Sequence, residues 1–165
     1  KVWLQLERAA REALDAFVAM RSAEGGKLRA DLLTRLEMLR GIAARLSGLA
    51  PEAVRAANEK MVARVRELLA GATPDESRLL TECAVFADKT DVTEELVRLS
   101  SHFGQFETML AEDAPVGRKC DFLVQEINRE MNTIGSKCCG SEMTNLVIAA
   151  KSEIEKIREQ IQNLE

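Results

Sequence analysis

The 165-residue sequence has no tyrosine, and aromatic residues of every kind make up only 4% of it. That scarcity argues against an all-β sandwich and against a sheet surface that stacks bases. Proline (3) and glycine (9) are also few, while hydrophobic residues reach 46% and charged ones 30%, so disordered, collagenous and low-complexity classes are excluded. No stretch reaches 18 apolar residues and no charged-then-apolar leader opens the chain, so neither a membrane span nor a secretory signal is expected. The start at Lys1 rather than Met is what a fragment would show. Basic excess is missing as well: 23 Lys and Arg stand against 27 Asp and Glu, a net charge of −4, which excludes a strongly basic nucleic-acid domain. The sequence contains no glycine-rich phosphate loop after a strand, no nucleophile elbow and no paired-histidine metalloprotease helix. Its four cysteines, Cys83, Cys120, Cys138 and Cys139, lack zinc-ribbon spacing, and two fall on apolar helical phases. Buried thiols in a reducing cytosol are expected, with metal binding or oxidation of the adjacent Cys138–Cys139 pair as the alternative.

What the sequence does contain is helical periodicity. Trp3, Leu6, Ala10, Ala13, Phe17 and Met20 recur at steps of three and four, as do Leu32, Leu36, Leu39, Ala43 and Leu46. Between these runs, Gly25 and Gly26 sit in an eight-residue gap from Met20 to Leu28, equivalent to a stripe shift of about 80° or to a bend. A long kinked arm or a tight helical hairpin would fit. Pro51 suits the first turn of a helix carrying Val54, Met61, Val65 and Leu68 and ending near Gly71. Another helix is expected after Pro74 through Leu79, Cys83 and Phe86. Asp91, Val92, Thr93 and Glu94 then have capping-box spacing ahead of the stripe Val92, Leu96, Leu99, Phe103, Phe106 and Leu110. After Pro115 and Gly117 come Cys120, Val124, Ile127, Met131, Ile134 and Cys138, and finally Val147, Ala150, Ile154, Ile157, Ile161 and Leu164. The expected fold is all-α: an elongated bundle of five or six helices with coiled-coil-like seams, which suggest oligomerisation. Residues 1–114 would form the arm and middle helices and 115–165 a C-terminal hairpin, in one continuous helical unit. Net charge is uneven, +3 over 1–50, −6 over 51–115 and −1 over 116–165, so local rather than total charge decides what the surface attracts.

The segment 118–137 departs from an ordinary solvated helix face, because Asn128, Asn132, Thr133 and Ser136 stand where helix propensity would not choose them. A helical wheel puts Asp121, Gln125, Asn128 and Asn132 in one strip and Arg118, Gln125, Arg129, Asn132 and Ser136 in the next. Lys119, Glu126, Glu130, Thr133 and Lys137 form the other flank. Glu126 and Glu130 are one turn apart and can converge on a hard cation or hold nearby lysines. A polar network between helices is the competing reading. His102, the single histidine, follows Arg98 by one turn and Glu95 by two, where it could serve as a general base or contact phosphate.

These residues resemble the C-terminal part of the bacterial YicC/YloC stress-associated endoribonucleases. The resemblance rests on Gly117–Leu123 with Gln125–Glu130, Asn132–Thr133 and Ser136–Lys137, on Met20–Arg21 with Glu24–Gly25 and Asp31–Leu32, on Asp91–Leu99 with Ser101–His102, and on the ending Glu155–Glu165. Cys120 stands where leucine is expected, and Cys138 and Cys139 where small or polar residues are usual. The resemblance implies a cytoplasmic, metal-dependent enzyme that cleaves RNA and assembles as a homohexamer, with a further N-terminal domain containing β structure and with no membrane association. Carried onto this sequence, it implies Arg98, Arg118, Lys119, Arg129 and Lys137 on RNA phosphates and Gln125, Asn128 and Asn132 on ribose or base edges. Asp121, Glu126 and Glu130 would hold Mg²⁺ or Mn²⁺, with Glu94 or Glu95 assisting, and His102, Glu95, Glu126 and Glu130 would make up the catalytic set. Two chemistries stay open, hydrolysis by metal-activated water and attack by the RNA 2′-hydroxyl. The competing functional class is a non-catalytic helical oligomer or RNA-binding scaffold.

Overall fold

Long runs without an interior strand signal leave helix as the way to satisfy the backbone, and each helix then needs a partner for its apolar stripe. A computed structural model describes residues 2–70, 75–112 and 114–163. The described residues form five helices and no strand: α1 (Val2–Leu68), α2 (Glu76–Thr90), α3 (Thr93–Leu110), α4 (Gly117–Lys137) and α5 (Ser141–Ile161). Gly71, Pro74 and Leu164, which figured in the expected boundaries, lie outside the described residues.

One hydrophobic core closes the packing. Leu32, Leu36, Leu39 and Leu46 of α1 meet Leu99, Phe103 and Phe106 of α3, Ile127, Met131 and Ile134 of α4, and Ala150, Ile154 and Ile157 of α5. α5 packs on both α1 and α4, and α3 packs on the same two from the other side, so α1 and α4 lie diagonally across the bundle. α2 has no buried residue and rests against α1, with Leu79, Cys83 and Phe86 half-buried. Helix ties reinforce the register: Arg35 of α1 bonds Glu153 of α5 at 2.9 Å, and Arg40 of α1 bonds Glu107 of α3 at 2.7 Å.

The main departure from the sequence reading is α1. It runs unbroken through Gly25, Gly26 and Pro51, so the hairpin alternative at the glycines and the separate helix at Pro51 both give way to one element about 100 Å long. Two glycines weaken a helix by about 1 kcal/mol each relative to alanine, but the turns on either side carry the hydrogen-bond ladder across them. Pro51 removes one bond, to the carbonyl of Ser47, at a place where both residues are exposed and water can replace it. The stripe 3–20 is also not core: Trp3, Leu6, Phe17 and Met20 are all exposed, and none of them is buried by another described helix.

Termini follow the local chemistry. Asp75 caps α2 by accepting from the Arg78 backbone N–H at 3.2 Å. At α3 the expected capping box is replaced by a tighter device: Asp91 Oδ1 accepts from the Thr93 N–H at 2.9 Å and the Thr93 hydroxyl at 2.6 Å, while Glu94 turns to Arg98. Those bonds hold the Asp91 carboxyl below its usual range. Gly140 links α4 to α5 with φ +100°, a conformation open to glycine and strained for other residues.

Candidate functional site at the α3–α4 junction

α3 and α4 run antiparallel, since Glu95 at the start of α3 meets Lys137 at the end of α4 while Arg98, one turn on, meets Glu130. Glu95 and Glu130 are the buried charged residues among those described, only 6% and 5% exposed. A buried carboxylate needs a counter-charge or it protonates. Glu95 Oε1 accepts from Lys137 Nζ at 2.8 Å, and the same ammonium donates to the Asp91 carbonyl at 2.8 Å. Glu130 faces Arg98 at 3.5 Å, a loose contact, and Arg98 is pulled further by Glu94. The paired carboxylates hold the Arg98 guanidinium above its ordinary pKa, with Glu94 the larger influence.

Two polar atoms in this neighbourhood have no partner in the described structure. Glu95 Oε2 and His102 Nδ1 are both buried and unbonded. Antiparallel register carries His102, one turn beyond Arg98, toward the level of Glu126 on α4. Glu126 itself is half-buried and 3.8 Å from Arg129.

The expected residues thus divide between two flanks of α4. Glu95, Arg98, Glu126, Glu130 and Lys137 gather on the α3 side. Asp121 lies nine residues before Glu130, half a helical turn out of phase, and accepts instead from the Gln125 amide at 2.8 Å. Asn128 and Asn132 share that other flank, Asn132 exposed and Asn128 half-buried. Asp121, Glu126 and Glu130 therefore do not form one cation shell within a chain, and no group of three or more metal-ligating side chains occurs among the described residues. The pair Glu126 and Glu130, i and i+4, does fit a hard cation by donor chemistry.

The basic residues are similarly spread. Arg118 is exposed without an ion-pair partner among the described residues, whereas Lys119 reaches Glu112 at 3.5 Å. Arg129 is exposed on the outer face of α4. What sequence reasoning missed is the Asp91 backbone carbonyl, the second acceptor that locks Lys137; a carbonyl leaves no side-chain signal, although Asp91 opened the segment that was singled out.

The cysteines are free, and Cys120 alone is fully buried. The other three are half-buried, which revises the expectation of buried thiols. Burial pushes the Cys120 and Cys138 thiols up, away from the reactive thiolate. Cys139 donates weakly to the Lys137 carbonyl at 3.7 Å. No helix among the described residues is long and apolar enough to cross a membrane.

Comparison with known proteins gives a consistent result. The family described as "Endoribonuclease YicC-like, C-terminal" matches residues 46–165. A protein of Clostridioides difficile (strain 630) named "Probable endoribonuclease YicC" is 46% identical over 165 residues, covering 99% of this chain and 56% of its own length. A protein of the same name from Haemophilus influenzae is 36% identical over 154 residues, covering 93% of this chain and 53% of its own length. The chain thus spans about half the length of the relatives it matches. The polar α4 segment and the helix ends that position it lie inside the matched region, and on that match the chain belongs to the YicC-like endoribonuclease family, in its C-terminal part.

Proposed function

We propose that this chain is the helical part of a metal-dependent endoribonuclease that cleaves RNA phosphodiester bonds, works in the cytoplasm in stress-associated RNA turnover, and assembles as a homohexamer. The observation that carries the reading is the α3–α4 junction: two buried carboxylates, each facing a cation, beside an unpartnered carboxylate oxygen and an unpartnered imidazole nitrogen. Unsatisfied buried polar atoms cost free energy in the resting protein and are retained where a ligand or a proton will meet them.

Glu126 and Glu130 would hold the Mn²⁺ or Mg²⁺, which would supply charge neutralisation at the phosphate and a more acidic water. The remaining work falls to the chain. Arg98 is loosely held by Glu130 and more than half exposed, so it can exchange that contact for a phosphate oxygen. Arg118, Arg129, Lys119 and Lys137 add positive charge along α4, and Gln125, Asn128 and Asn132 offer amides to ribose or base edges from its other flank. Lys137 orients Glu95 through Oε1, which leaves Oε2 as an acceptor without a partner among the described residues. His102, whose Nδ1 is buried without a partner, would take or deliver the proton of the attacking or leaving oxygen.

Cleavage of an end-labelled structured RNA by the full-length protein, with Mn²⁺, Mg²⁺ or EDTA, tests the reading. Cleavage that needs metal and is lost in a correctly assembled Glu130→Gln variant is expected. Ends bearing 3′-hydroxyl and 5′-phosphate would mark hydrolysis, and a cyclic phosphate would mark 2′-hydroxyl attack. The exposed stripe on α1 favours a second reading, a non-catalytic oligomeric scaffold. Binding without cleavage under every condition would select it.

A further inference from the structure

Gly25 and Gly26 are unexplained by the fold. Both lie inside α1 with ordinary helical backbone, since Gly140 is the one glycine with positive φ among those described. A Cβ built on either would meet nothing within 4 Å. Neither the backbone nor packing within the chain therefore demands glycine, and most other residues would strengthen the helix. A glycine at such a place leaves the helix backbone open to close approach by another molecule.

Gly25 faces a cleft of about 1000 Å³ between α1 and the C-terminal end of α5. Its walls have a definite chemistry. Phe17 is half exposed, and the Arg21 guanidinium stands 5.7 Å above its ring, which presents a flat π and cation surface. Lys27 lines the cleft and has no ion-pair partner among the described residues. Gln160 and Asn163 bring side-chain amides from the end of α5. Of the carboxylates among the described lining residues, Asp31 is engaged by Arg35 at 2.8 Å, which leaves Glu24.

A stacking surface, amides that donate and accept, and a lone ammonium are the elements by which proteins hold unstacked nucleotides. We propose that this α1–α5 cleft is a second RNA subsite, taking a single-stranded segment whose bases stack at Phe17 and Arg21 and whose backbone passes close over Gly25. The inference rests on the RNA-cleaving reading above. α4 lies diagonally across the bundle from α1, so the cleft is separate from the α3–α4 junction and holds the strand rather than reacting with it.

The test uses full-length protein and a fluorescent, non-cleavable 2′-O-methyl single strand, with anisotropy read over a salt series. Gly25→Met fills the cleft with a better helix former, so its thermal midpoint should equal or exceed that of the wild type. It should weaken binding about tenfold or more, as loss of a stacked base does. Lys27→Ala should weaken binding and make the slope of log affinity against log salt shallower by about 0.7. In cleavage of unmodified RNA both variants should raise KM and leave kcat largely intact. If both bind like the wild type while Arg129→Ala binds more weakly, the RNA reading stands and the subsite is overturned. Failure of the wild type itself to bind RNA overturns both readings. A changed oligomer mass for Gly25→Met makes the cleft a contact between copies and overturns the subsite, as does equal weakening for a blunt duplex.

Discussion

Glu95 and Lys137 show how much of the site rests on single side chains. Removing the ammonium would leave a 6%-exposed carboxylate without its donor, and breaking a buried pair from one side costs more than the pair contributes. Lys137→Ala should therefore lower unfolding free energy by about 1–3 kcal/mol, discounted because the lysine is itself partly exposed. Adding Glu95→Gln should recover part of it, as read by urea denaturation. Glu153 supplies a pH test. Lys156, and then Arg35, hold its carboxyl below the usual range. The native state thus binds fewer protons at this site than the unfolded chain near the ordinary glutamate pKa of about 4.3. Its stabilising effect is complete above that value and disappears as pH falls through the lower folded one. In Glu153→Gln the urea midpoint should vary less between pH 5 and pH 3 than in the wild type. At this scale the shared side of Glu95 and Arg98 on α3, and of Glu126, Glu130 and Lys137 on α4, was legible in the sequence, because spacings of three, four and seven residues keep one helical face. Asp121 was grouped with them by residue type, and phase along α4 separates it.

Helix α1 sets the lesson at the scale of elements. Apolar steps of three and four located every helix that the structure describes, since a 3.6-residue period leaves no other way to gather a stripe. Breaks were harder to read. Gly25, Gly26 and Pro51 are ordinary stop signals, yet α1 passes through all three. Stop signals are penalties of about 1–3 kcal/mol, and a helix anchored by four buried leucines on one side of Pro51 can absorb them. Gly26→Ala should accordingly raise stability by about 0.5–1 kcal/mol, seen as a higher thermal midpoint with unchanged helical circular dichroism. Gly135 is the contrast, because an added Cβ would stand 3.1 Å from Val147 Cγ1 at the α4–α5 contact. Gly135→Leu should cost about 1–3 kcal/mol through overpacking, although leucine is the better helix former.

For the whole molecule, the notable surface is the arm. Trp3, Leu6, Leu14 and Met20 are each more than half exposed, and a folded protein carries such a stripe where something covers it. Under the proposed homohexamer, the paired substitution Leu6→Glu, Leu14→Glu should lower the mass measured by analytical ultracentrifugation while leaving the core of α3, α4 and α5 folded. The net charge of −4 does not oppose RNA binding, because local charge decides what the surface attracts and Arg118 and Arg129 are exposed. Affinity for RNA should fall steeply with salt if these residues meet phosphate, and Arg129→Ala should flatten that slope.

The sequence by itself determined the all-helical class, the apolar faces and the segment that carries the polar chemistry, because periodicity, propensity and composition are local properties of the chain. Which runs merged into α1, which stripe entered the core and which was left outside, and which acids share a side of α4 were decided by tertiary structure. These outcomes depend on which surfaces meet. Burial converts Glu95 and Glu130 from ordinary helix formers into paired charges with consequences for stability, and that conversion requires α3 to lie antiparallel against α4. No spacing within either helix encodes the distance between them.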